Sequence, residues 1–143
     1  MRYGTIGAAA AICLALAGAA QARTVHFSAA LTGAGEVPPN ATTGTGEVTA
    51  ALDTDTKTFD YTATYSGLTG PAAAAHFHGP AAPGANGPPV VPVPPANLAS
   101  PIRGSAKLTD AQIADLTAGR WYFNVHTAAH PGGEIRGQLA PAR

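Results

Sequence analysis

Four of the five histidines in this chain sit in two short segments, His76-Phe77-His78 and Asn124-Val-His126-Thr-Ala-Ala-His130-Pro-Gly-Gly-Glu134, with His26 alone elsewhere. Imidazole is a ligand for zinc and copper, and it binds in its neutral form near neutral pH. Two imidazoles at i and i+2 of an extended segment emerge on the same side of it. A third from another strand can be turned toward the same point, and His130, in a Pro-Gly-Gly loop, is a fourth candidate. Three or four ring nitrogens without a thiolate favour copper on affinity grounds. The metal candidates are therefore His76, His78, His126 and His130. The competing reading is that these histidines only shape loops, because His-x-His on its own also occurs without metal.

The elements that must position them are strands. Val25, Phe27, Ala29 and Leu31 alternate with polar residues in a first strand, and Val48, Ala50 and Leu52 do so in a second. The polar turn Asp53-Thr-Asp-Thr-Lys57 then leads to Phe59, Tyr61, Ala63 and Tyr65 in a third, which is hairpin logic and an antiparallel sheet. A fourth strand covers Ala73 to His78. It is followed by Gly79-Pro80 to Pro88-Pro89, which can be neither helix nor central strand, and Val90 to Val93 add a short edge piece. Ile102 to Leu108 lead into Thr109-Asp-Ala-Gln112, a capping box for a short helix with Ile113 and Leu116 inward and Gly119 as its end. Trp121 to His126 and Glu134 to Leu139 close the chain. Short strands with one short helix predict an all-β fold, an antiparallel Greek-key β-sandwich or flattened barrel of immunoglobulin-like or superoxide-dismutase-like kind.

Alternation also says which way the histidines face. Phe77 is the core residue of its segment, so His76 and His78 point away from the core. Trp121, Phe123 and Val125 make the inner face of the later strand, which puts Tyr122, Asn124 and His126 outside. If this strand pairs with Glu134 to Leu139, His126 stands opposite Glu134 and Asn124 opposite Arg136. Glu134 is then placed to accept a hydrogen bond from the His126 nitrogen that holds no metal, with Asn124 and Arg136 as further supports around the ligands.

Residues 1 to 22 read as an export signal: Arg2, an apolar run from Ile6 to Ala20, and the small-x-small sequence Ala20-Gln21-Ala22 before the cut. The run is too short for a membrane span of about 20 residues. The mature domain, 23 to 143, is expected in the periplasm or the medium, with no membrane span of its own. The single cysteine, Cys13, falls inside the signal, so no disulfide is expected afterwards. Eight basic against eight acidic residues and only 11% charged residues give no footprint for nucleic acid or an anionic membrane.

The assembled motifs resemble a known family. Phe27-Ser-Ala-Ala-Leu31, Gly35-Glu36-Val-Pro38-Pro39, Gly67-Leu68, Ala75-His76-Phe-His78-Gly79-Pro80, Asn86-Gly87-Pro88, Leu108-Thr109, Asn124-Val-His126-Thr and His130-Pro-Gly-Gly-Glu134-Ile-Arg136-Gly137-Gln138-Leu139 look like the CHRD domain, from about Val25 to Leu139. That family takes its name from chordin and includes small exported bacterial proteins, so the resemblance implies a fold more than an activity. A remoter likeness is to copper/zinc superoxide dismutase, which places a His-x-His and a later histidine on copper in a Greek-key barrel. By that likeness His76, His78 and His126 would be copper ligands. This chain departs from the pattern: no bridging histidine or zinc loop lies between Gly79 and Leu108, and the disulfide is missing.

Three functions follow as alternatives: a copper-binding domain, a copper-only dismutase-like oxidoreductase with Arg136 guiding the anion, and a metal-free extracellular interaction or adhesion module using the exposed prolines of Gly79 to Pro95. Glu36-Val-Pro38-Pro39 reads as a structural turn between strands ahead of the alternative, a binding loop. Hydrolase, phosphate-loop and dinucleotide chemistry is disfavoured, since the Gly-x-Ser-x-Gly elbow and the glycine-rich fingerprints are missing.

Overall fold

Alternating apolar residues put one face of every long strand in a common core. The computed structural model describes residues 23–142, so the export-signal reading of residues 1–22 lies outside the described residues. In chain order the elements are β1 (Thr24–Thr32), β2 (Thr45–Asp53), β3 (Thr58–Ser66), β4 (Ala72–His78), β5 (Pro89–Pro92), β6 (Ile102–Lys107), α1 (Asp110–Thr117), β7 (Tyr122–Thr127), β8 (Ile135–Gln138) and β9 (Ala140–Pro141). All strand pairs are antiparallel, and the sheet runs β5-β4-β7-β8-β1-β2-β3-β6, with β9 on β1.

This sheet curls onto itself. Phe59 and Tyr61 of β3 meet Phe77 of β4 edge-on, with centroids 5.1 and 4.9 Å apart, and Phe59 meets Trp121 at 5.8 Å. Four strands separate β3 from β4 in the sheet order, so these contacts close it into a flattened barrel. The chain crosses between the two halves from β3 to β4, from β5 to β6, and again through α1 to β7. This is the all-β barrel with one short helix that the alternation predicts. Phe27, Leu31, Leu52, Phe59, Phe77, Trp121, Phe123, Val125 and Ile135 fill its interior.

The connections follow from local chemistry. Asp53 Oδ1 accepts from the backbone N–H groups of Asp55 and Thr56 at 3.0 and 2.8 Å, tying the β2–β3 hairpin. Thr109 and Gln112 form the expected reciprocal box at the start of α1: Thr109 N–H donates to Gln112 Oε1 at 2.9 Å, and Gln112 N–H donates to Thr109 Oγ1 at 3.2 Å. Gly119 takes φ +71° just after the helix. Gly79 ends β4 against Trp121; a Cβ there would stand 2.4 Å from the indole Cδ1. Among the described residues, no helix is long and apolar enough to cross a membrane.

Candidate metal centre

Antiparallel pairing of β4 with β7 sets His76 opposite Asn124, His78 opposite Tyr122 and Ala74 opposite His126. Phe77, Phe123 and Val125 take the inner face, so the histidines project from the outer one, as alternation requires. His76 Nδ1 lies 3.3 Å from His126 Nε2. One nitrogen from each of His76, His78 and His126 can be chosen so that all three lie within 4.8 Å of one another. His130 is not in this group. Its backbone exchanges hydrogen bonds with Thr127, and it stands in a neighbouring cleft with Glu36, Pro38, Asn40 and Gly133.

Backbone carbonyls fix the rings. His78 Nδ1 is 2.9 Å from Gly87 O, and His126 Nδ1 is 2.9 Å from Pro131 O. A carbonyl only accepts, so each Nδ1 carries the proton and each Nε2 of a neutral ring presents a lone pair. His78 Nε2 is buried without a hydrogen-bond partner. Burial holds the His76 and His78 imidazoles below their ordinary pKa, and the neighbouring rings push in the same direction. Both therefore stay neutral, the form that binds metal, to lower pH than a free histidine.

Part of the outer face is covered. Tyr122 and Asn124 are each 3% exposed, against the expectation that this side of β7 faces water. Over Tyr122 the cover is the segment between β4 and β5. The guanidinium of Arg136 stacks on the Tyr122 ring, 3.4 Å from its centroid, and donates to Asn86 Oδ1 at 2.9 Å and Ala85 O at 2.7 Å. Tyr122 in turn lies flat against His78, with centroids 4.6 Å apart and planes 5° from parallel. Arg136, 2% exposed, is thus a clamp on the loop that carries the Gly87 carbonyl. It does not stand open to guide an anion.

Glu134 also departs from its expected place. The β7–β8 register does pair Asn124 with Arg136, but the Glu134 carboxylate does not reach His126. It precedes β8 and turns to the barrel end, where Oε1 accepts from Thr42 Oγ1 at 2.6 Å and Thr69 N–H at 2.8 Å. Oε2 accepts from Thr69 Oγ1 at 2.7 Å and Thr127 Oγ1 at 2.5 Å. Burial works against the charge, but the hydrogen bonds from Thr127, Thr42 and Thr69 outweigh it and hold the carboxyl at about 2. Pro131 O takes the role at His126 that the sequence assigns to Glu134.

Sequence reasoning missed Glu36. It follows a short 3₁₀ turn (Gly33–Gly35), is 5% exposed, and leaves Oε1 without a partner. Gly133 makes room for it, since a Cβ there would lie 2.3 Å from Glu36 Oε1. Burial lifts its carboxyl from 4.5 to about 7 against the pull of Arg136, the Asn124 amide and the Val37 backbone. The folded pKa is above the unfolded one, so this group takes stability away as pH rises from 4.5 through 7. Urea midpoints of Glu36→Gln and wild type, both metal-free, are therefore expected to be similar near pH 4.5 and to separate in favour of the variant by pH 7.5. An unchanging gap would mean that Glu36 titrates like an exposed carboxyl.

A β-barrel whose outer face carries three converging imidazoles defines a small all-β domain with a candidate metal centre. The family model of the CHRD domain matches residues 27–139, and the chain belongs to that family. No curated protein and no solved structure matches it significantly.

Proposed function

We propose that this chain is an exported CHRD-domain protein that binds copper through His76 Nδ1, His78 Nε2 and His126 Nε2. The observation that carries this reading is the convergence of the three rings while carbonyls pin the far nitrogens of His78 and His126. Carbonyl-bound far nitrogens are what orient metal-ligating histidines. An all-imidazole set outside a thiolate environment suits copper above the other common divalent ions. His76 and His126 are only partly buried, which leaves the ion a path in. Export, to the periplasm or the medium, is supported by the composition of residues 1–22.

The dismutase-like reading loses its anion guide, since Arg136 is engaged with Tyr122, Asn86 and Ala85. The interaction-module reading keeps its proline surface, since the prolines between Gly79 and Pro95 are all exposed, but it gives no reason for three imidazoles to converge. Calorimetric titration of the domain with Cu(II) tests the proposal. One-to-one binding by wild type is expected, weakened by about a thousandfold or more in a His76→Ala/His78→Ala/His126→Ala variant, roughly 4 kcal/mol. Equal binding by the two proteins would rule the site out.

A further inference from the structure

Asn124 holds a position that three histidine ligands do not account for. Its carboxamide is nearly fully buried, it is the cross-strand partner of His76, and its Oδ1 lies 3.0 Å from His126 Nε2. His126 Nδ1 is engaged by the Pro131 carbonyl, so a neutral His126 ring directs a lone pair at the Asn124 oxygen. Two acceptors at that separation repel each other, and a cation beside both turns the repulsion into two bonds.

We infer that Asn124 Oδ1 is a fourth donor to the ion held by His76, His78 and His126, giving a set of three nitrogens and one oxygen. The inference rests on the copper reading above. Donors bound to one ion at about 2.0–2.1 Å, at angles from square to tetrahedral, stand about 2.8–3.4 Å apart. The Asn124 Oδ1–His126 Nε2 separation of 3.0 Å and the His76 Nδ1–His126 Nε2 separation of 3.3 Å both fall in that range.

Glu36 sets which end of the amide faces the ion. The Asn124 amide and the buried Glu36 carboxyl interact, Glu36 Oε1 has no hydrogen-bond partner, and a carboxyl oxygen accepts from an amide N–H whether or not the group carries its own proton. The amide nitrogen is therefore drawn to Glu36 and the oxygen is turned to the histidines. Glu36 is a positioning residue that acts through Asn124. A buried asparagine between a carboxyl and an imidazole is a device for orientation, since O and N differ only in what they can bond.

Electron paramagnetic resonance and electron-nuclear double resonance of the Cu(II)-loaded protein test this, with asparagine labelled by 13C at the carboxamide carbon. Wild type is expected to show imidazole nitrogen couplings together with a 13C coupling. Asn124→Ala is expected to lose the 13C coupling, to gain deuterium coupling from water in D2O, and to bind about tenfold more weakly. Glu36→Leu frees the amide and is expected to lose the 13C coupling as well, whereas Glu36→Gln keeps an acceptor and the wild-type spectrum. Imidazole couplings in wild type without any 13C coupling would overturn the Asn124 assignment alone. Copper without imidazole couplings would overturn the histidine site and this inference with it. The labelled wild type decides the matter even where a variant fails to fold.

Discussion

Glu134→Ala is expected to destabilise the metal-free domain by about 3–5 kcal/mol, a large effect for one substitution. The carboxylate is fully buried, and its two oxygens accept four hydrogen bonds, three from threonine hydroxyls and one from a backbone N–H. Bonds to a charged acceptor are each worth about 1.5–3 kcal/mol, and removing the acceptor strands its donors in a site closed to water. Thr42 lies between β1 and β2, Thr69 between β3 and β4, and Thr127 at the end of β7. One side chain thus joins three otherwise separate parts of the chain to the approach of β8. Glu134→Gln keeps the shape and loses the charge, so its cost is expected to be smaller, because the hydroxyls can rotate to accept from the amide. Urea unfolding of the three proteins at neutral pH gives the comparison. A loss below about 1 kcal/mol in Glu134→Ala would show that the network holds little of the fold.

Arg136→Ala is expected to cost about 3 kcal/mol of stability and to weaken copper binding by about 10–100-fold. The stability loss comes from a desolvated cation–π contact with Tyr122 and two hydrogen bonds to Asn86 and Ala85. The loss of affinity comes by a longer route. Arg136 holds the segment after β4, that segment holds Gly87, and Gly87 O fixes the proton of His78 on Nδ1. Without the clamp the His78 ring is free to turn and to change tautomer. Arg136→Lys restores the charge but not the planar fork or the stacking, and is expected to recover little. Calorimetry with Cu(II) alongside urea unfolding separates the two effects. Copper affinity unchanged in a destabilised variant would place Arg136 outside the site's support.

Period-two alternation made most of the sheet legible, because one face of each strand is apolar and the other is not. Phe77 against His76 and His78, and Phe123 and Val125 against Asn124 and His126, fixed both the strand phase and the side on which the histidines project. The Thr109/Gln112 box and Gly119 bounded α1 by local hydrogen bonding that needs no tertiary context. The misses share a cause. Glu134 sits just before β8, where strand alternation no longer governs direction, so its turn toward Thr42, Thr69 and Thr127 left no periodic trace. Glu36 looked like a turn residue because its burial depends on Gly133, a residue nearly a hundred positions away. The covering of Tyr122 depends on Arg136 catching a proline-rich loop, a contact between segments about fifty residues apart. Such long-range pairings are set by packing, which single-sequence patterns do not carry.

The strands β4 and β7 carry two independent jobs on their two faces. Phe77, Phe123 and Val125 knit the interior from one side, while the imidazoles occupy the other, so nothing in the interior waits on an ion for its packing. Small domains nucleated by a structural metal lose their shape when it leaves. Here the scaffold packs without the cluster, so an ion bound by these imidazoles is expected to enter and leave as a reversible passenger while the fold persists.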